Sequence, residues 1–145
     1  MTETKTTLSV QSEVGKLEAV LLHYPGPEVE NMTPRNAQRA LYSDILNLSI
    51  ARKEYDQLQG VLKKTSRVYE VSDLLTRVLE KENLKEQLIL KISDLEQVHG
   101  YADYLMKLSP QNLSRILIEG LPIKIDTLTD FFREEYYALK PLYNF

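Results

Sequence analysis

The sequence predicts an α/β fold: one β-α-β crossover unit followed by a helical block. Three observations lead there. An apolar run bounded by turn residues comes first, then two stretches with apolar residues at helical spacing, then a short segment rich in β-formers. From Ser72 onward the apolar residues recur at helical spacing instead. A strand, helices and a second strand in that order make a crossover with a parallel pair.

The first strand is Lys16 to His23, KLEAVLLH, with Leu17, Ala19, Val20, Leu21 and Leu22 packed into a short run after Gly15. Tyr24, Pro25, Gly26 and Pro27 end it, because proline fixes φ and withholds a donor while glycine admits turn geometry. Thr33 followed by Pro34 reads as a helix N-cap and first position, and the helix should run to about Leu41. Ile50, Glu54, Tyr55, Leu58, Val61 and Leu62 share a face of a longer helix. Val68, Tyr69 and Val71 mark a second strand, Arg67 to Val71.

Ser72 or Asp73 then caps a helix carrying Leu74, Leu75, Val78 and Leu79, and Leu84, Leu88 and Ile92 continue the pattern after Asn83. Tyr101, Tyr104, Leu105 and Leu108 form another stripe. Ser109-Pro110 starts a further helix whose buried face is Leu113, Ile116 and Leu117, with Gly120 placed to stop it. Leu121 to Asp126 reads as connecting chain, and Thr127 to Tyr137 as one more helix before Pro141. Two strands of a parallel pair leave both edges open and an apolar face uncovered, so further chain or self-association is expected to complete the sheet.

Composition narrows the function. The chain has 145 residues, 43% hydrophobic and 27% charged, with a net charge of −3 and no basic stripe, so neither disorder nor nucleic-acid binding is expected. No apolar run is long enough to cross a membrane and no signal-peptide core is present, which predicts a cytoplasmic protein without a membrane partner. There is no cysteine, which removes disulfides, thiolate metal sites and a thiol nucleophile from these residues. His23 and His99 lack metal-ligand spacing, and no metal or cofactor is expected. No glycine-rich phosphate loop occurs. The acids Glu28 and Glu30, Glu80 and Glu82, and Glu134 and Glu135 sit in charged or turn-like surroundings and are expected to be solvated. Spacing alone marks no catalytic residue.

The order of short motifs is more specific. Ser12-Glu13-Val14-Gly15-Lys16-Leu17, the strand, Pro25-Gly26 and Glu30-Asn31-Met32-Thr33-Pro34 follow at defined separations. Together they resemble the opening of arginine deiminases, which runs Ser-Glu-x-Gly-Lys-Leu, strand, Pro-Gly, Glu-Asn-Leu-Thr-Pro. Leu41-Tyr42-Ser43-Asp44 is similar to that family's Leu-Phe-Asp-Asp, with Ser43 in place of the first aspartate, and Ala51-Arg52-Lys53-Glu54-Tyr55-Asp56 to its Ala-Gln-Lys-Glu-His-Asp helix. Pro141-Leu142-Tyr143-Asn144-Phe145 resembles the Pro-Leu-Pro-Asn segment that leads to the family's first catalytic acid.

The resemblance implies a portion of a five-bladed α/β propeller, the pentein fold. Residues 1–71 would be part of the first propeller unit, 72–126 an inserted helical block and 127–145 a return towards the propeller core. It implies hydrolysis of arginine, or a related guanidino compound, to citrulline and ammonia through a cysteine thiolate absent from this chain. The 145 residues alone would then be inactive, and the remaining propeller chain would be the partner. Leu41 matches the leucine lining the arginine pocket and Asn144 the asparagine that hydrogen-bonds substrate, whereas Glu30, Asn31 and Thr33 match a structural capping loop. Two alternatives stay open: a non-catalytic helical interaction module derived from the family, and part of an amidinotransferase, which differs only in the acceptor.

Overall fold

A computed structural model describes residues 9–30, 46–122 and 137–139. Strand β1 (Ala19–Leu22) is followed by the short helix α1 (Pro27–Glu30), and the long helix α2 (Leu48–Thr65) leads to strand β2 (Arg67–Glu70). β1 and β2 pair in parallel, Ala19 opposite Arg67 and Leu22 opposite Glu70, as expected of a crossover unit. The strand is shorter than the apolar run because Lys16 to Glu18 lie outside the ladder, although the Arg67 N–H still donates to the Glu18 carbonyl at 3.1 Å.

α2 begins where its cap allows. Asn47 Oδ1 accepts from the N–H groups of Ser49 and Ile50 at 3.0 and 3.2 Å, satisfying two of the donors that a helix start leaves unpaired. Lys63 and Lys64 stand in the last turn, where positive charge meets the negative end of the helix dipole. The Thr33–Leu41 helix expected from the sequence lies outside the described residues.

The helical block starts without a loop. β2 runs straight into α3 (Val71–Leu79), so Val71 is helical rather than the last strand residue. Glu70 occupies the cap position without a side-chain cap bond, which corrects the expectation that Ser72 or Asp73 caps this helix. Ser72 and Asp73 are already inside it. Helices α4 (Glu82–Glu96), α5 (Ala102–Met106) and α6 (Pro110–Glu119) follow, with a 3₁₀ turn at His99–Tyr101. α6 is bounded as its sequence predicts: Ser109 Oγ accepts from the Asn112 N–H at 3.3 Å, Pro110 sits at the start, and Gly120 ends it at φ 82°, a conformation few other residues adopt.

α3 packs along α6, and the core gathers there. Leu79, Ile89, Leu105, Leu113, Leu117 and Leu139 form one buried cluster, with Leu75, Leu88 and Ile116 packed against it. Each helix supplies residues three or four apart, so their apolar stripes meet on one side. Lys85 is buried at this packing, its stem among the helices and its Nζ donating to the Met106 carbonyl at 2.7 Å, where α5 ends and carbonyls lack helical partners.

Leu139 comes from a strand that the sequence did not reveal. Leu121–Pro122 (β3) pairs antiparallel with Tyr137–Leu139 (β4), with an irregular register. Leu121 is therefore not plain connecting chain, and Tyr137 is extended where a helix was expected. The apolar residues of so short a ladder show no period of their own. Its stability comes from burying Leu139 in the helical core.

Substituting Leu113 by alanine in this core should cost about 2–5 kcal/mol through lost transfer energy and the cavity left behind. Urea denaturation followed by circular dichroism measures it. An unchanged midpoint would mean that the α3–α6 packing does not limit stability.

Candidate functional site

Ligand sites in parallel α/β structures gather outside the carboxyl ends of the strands. Here that edge carries the turn after β1 and the β2–α3 junction, and α6 lies over both. A cleft of about 310 Å³ opens there, lined from the turn by His23, Tyr24 and Glu28, from α2 by Arg52, and from α6 by Ser114 and Glu119.

Glu28 organises the turn. Its carboxylate is buried, and Oε1 accepts from the Gly26 N–H at 2.7 Å and lies 2.9 Å from His23 Nε2. The acid just inside α1 reaches back to the N–H of the residue before the helix, as the acid of a capping box does, while the Gly26 carbonyl accepts from the Val29 N–H at 3.1 Å. Burial alone would raise the Glu28 pKa, but hydrogen bonds from His23, from the Gly26 N–H and from its own N–H outweigh it and hold the carboxyl below its ordinary value. A Cβ at position 26 would collide with Glu28 Oε2, so a larger residue there would displace the Glu28 carboxylate.

A second polar group ties the crossover helix to the strands. The Glu70 carboxylate accepts from the Tyr55 hydroxyl and from the Gln59 side-chain amide. Burial, and then hydrogen bonding to Glu70, push the Tyr55 hydroxyl up to about 12. Tyr55 meets Tyr24 edge to face at 5.0 Å, and the Arg52 guanidinium stands 5.6 Å from the Tyr24 ring while its Nε donates to the Pro25 carbonyl at 3.1 Å. On α6, burial raises the Glu119 carboxyl, Arg115 partly offsets this, and the nearby Glu28 charge adds to the rise.

The structure places the sequence-derived residues unevenly. Glu30 is exposed at the end of α1, and Leu41, Asn144, Asn31 and Thr33 lie outside the described residues. Glu28 corrects its own expectation: it is 4% exposed rather than solvated. The available signal was Gly26-Pro27-Glu28, a glycine whose N–H can be claimed by an acid just inside a helix. Among the described residues no group of three or more His, Asp or Glu converges as a metal site, and no helix is long and apolar enough to cross a membrane.

No family model matches the chain. Individual relatives do. It is 35% identical over 156 aligned residues to the arginine deiminase of Lactococcus lactis subsp. lactis (strain IL1403), which takes in 94% of this chain. It is 37% identical to that of Rhodococcus erythropolis over 79% of the chain, and 31% identical to that of Borrelia recurrentis over 89%. By sequence, the chain belongs to the arginine deiminase superfamily. It spans 37%, 30% and 35% of the lengths of these three relatives. In this arginine deiminase homologue the described part is a mixed helix-and-sheet structure, with the parallel pair at the edge where the cleft opens.

Two outcomes test the site. Because the Glu28 carboxyl lies below its ordinary value in the folded chain, its contribution is present above the unfolded carboxylate pKa and is lost as pH falls through the folded one. Glu28→Gln should lower stability near neutral pH by about 2 kcal/mol, and the deficit should shrink on acidification below about pH 4. Thermal melts of both proteins across that range check the sign. Spectrophotometric titration should find a tyrosine ionising at about 12, and Glu70→Gln should bring it down.

Proposed function

We propose that this chain is one part of an arginine deiminase-like hydrolase, in which the guanidinium of arginine is converted to citrulline and ammonia by a cysteine supplied outside these 145 residues. The reading rests on one observation: relatives named arginine deiminase align with up to 94% of the chain at 31–37% identity. The chemistry needs a nucleophile strong enough to attack the carbon of a planar, permanently charged cation, with carboxylates to hold that cation in a forked geometry. Attack by a thiolate expels ammonia and leaves a covalent amidino-thioether, which water then opens to citrulline and free thiol.

On this reading residues 1–71 belong to the first unit of a five-bladed propeller, 72–126 form the inserted helical block and 127–145 return towards its centre. Leu41 would form a wall of the arginine pocket and Asn144 would hydrogen-bond the substrate. Glu30, Asn31 and Thr33 would order the chain that carries Leu41. The arrangement around Glu28 supports this, since its carboxylate fixes the turn a few residues upstream. A non-catalytic role for the helical block is the second reading, in which a partner protein would contact exposed side chains of α4 such as Leu90 and Leu95, which are 52% and 63% exposed.

Incubated with arginine, the purified 145-residue chain should release no citrulline. Release proportional to its concentration would overturn the claim that the nucleophile lies elsewhere. Adding in trans the portion of the Lactococcus lactis relative that does not align with this chain should restore citrulline formation dependent on both polypeptides. A stable but inactive complex would contradict the hydrolase reading.

A further inference from the structure

We propose that the open edge of β2 pairs two copies of this chain antiparallel about Val68, joining their parallel pairs into one continuous sheet. The inference uses neither the cleft at Glu28 nor the hydrolase reading.

The backbone of β2 supplies the first support. In the parallel ladder the Arg67 N–H donates to the Glu18 carbonyl, so Arg67 and Tyr69 turn their backbone groups towards β1, and Ser66, Val68 and Glu70 turn theirs the other way. On that outer side the Ser66 N–H is already held by the Leu62 carbonyl. The Glu70 carbonyl stands at the cap position of α3, where it accepts the first helical bond. What remains without a partner among the described residues is the Val68 N–H, the Val68 carbonyl, the Glu70 N–H and the Ser66 carbonyl. An edge left open in this way is a template for a further strand.

A two-fold axis at Val68 matches these groups to one another. Val68 of each copy exchanges N–H and carbonyl bonds with Val68 of the other, and the Glu70 N–H of each donates to the Ser66 carbonyl of the other. The groups already engaged within the chain are the ones this register leaves out. A register centred on Tyr69 would instead set Val68 opposite Glu70 and call on the Glu70 carbonyl a second time.

Charge is the second support, and it selects another copy of this chain as the occupant. Lys63, Lys64 and Arg67 gather at the start of β2, and Glu70 and Asp73 at its end. Antiparallel pairing sets the basic end of each copy beside the acidic end of the other, with Arg67 opposite Tyr69. Arg67 and Asp73 are exposed and form no salt bridge among the described residues; Arg77, one turn beyond Asp73, leaves that end acidic. The open edge of β1 has no such polarity, since Lys16 and Glu18 share its start. Access is also present. A groove of about 310 Å³ runs along β2, with Lys63 on one wall, Asp73 on the other and Val68, Tyr69 and Glu70 between them. Strands this short bury less than a permanent interface needs, so the pairing is weak and reversible.

Sedimentation velocity of the 145-residue chain from about 1 μM to about 1 mM should show a reversible equilibrium between monomer and dimer and no larger species. Val68→Pro removes an outward N–H without touching the ladder to β1, and should weaken dimerisation about tenfold or more at unchanged helical circular dichroism. Leu21→Pro makes the same change on the open edge of β1 and should leave the dimer within about twofold of the parent. Arg67→Glu and Asp73→Lys, both at exposed positions, should each weaken it about tenfold. Mixed in equal amounts, these two variants should pair with each other, because the exchanged charges then face one another. If Val68→Pro loses its circular dichroism, the charge variants decide alone. A chain monomeric throughout the range, dimers that survive a folded Val68→Pro or vanish with a folded Leu21→Pro, or a mixture that pairs no better than either charge variant would each overturn the proposal.

Discussion

The carboxylate of Glu70 is the constraint on which the architecture turns. It belongs to the last residue of β2, and the next residue opens α3, so the sheet and the helical block meet there with no loop to absorb error. By accepting from Tyr55 and Gln59 it anchors the crossover helix to the strand end. Charge-assisted bonds of this kind are stronger than neutral ones, and in a buried setting the loss of either partner leaves the other unsatisfied. The position of α2 against the strand end follows from that join, and the apolar core then sets α6 against α3.

The same join shapes the cleft. Tyr55 carries the fixation to Tyr24 by an edge-to-face contact, and Arg52, one turn earlier on α2, holds the Pro25 carbonyl. The turn after β1 is thus gripped by α2 from outside and by Glu28 from within. α6 then supplies Glu119 and Ser114 to the facing wall, with Ser114 Oγ donating to the Ser72 carbonyl at 3.3 Å. A helix remote in sequence therefore completes a site begun by the first strand.

Local signals were legible and long-range ones were not. The Ser109-Pro110 start and Gly120 stop of α6 rest on chemistry confined to a few residues, and the parallel β1–β2 pair follows from an apolar run, a helix and a β-rich segment in order. The start of α3 was misread because Ser72 and Asp73 are good caps in isolation, whereas the ladder to Glu70 dictates an earlier entry. β3 and β4 escaped because two or three residues carry no periodicity and are held by Leu139 in a core built by other helices. Glu28 reads as a surface acid beside Pro27, and it is buried by helices remote in sequence, α2 and α6, packing against α1. Tyr55 fits an apolar stripe, but its hydroxyl partner Glu70 is fifteen residues away.

A double-mutant cycle across Tyr55 and Glu70 tests this central claim most directly. Stabilities of the parent chain, Tyr55→Phe, Glu70→Gln and the double variant, from urea denaturation, yield the coupling between the two side chains. The account predicts a coupling of about 1–3 kcal/mol, with the double variant less destabilised than the sum of the singles. A coupling near zero, with additive losses, would mean that the two groups act independently and that the join between sheet and helical block is held by something else.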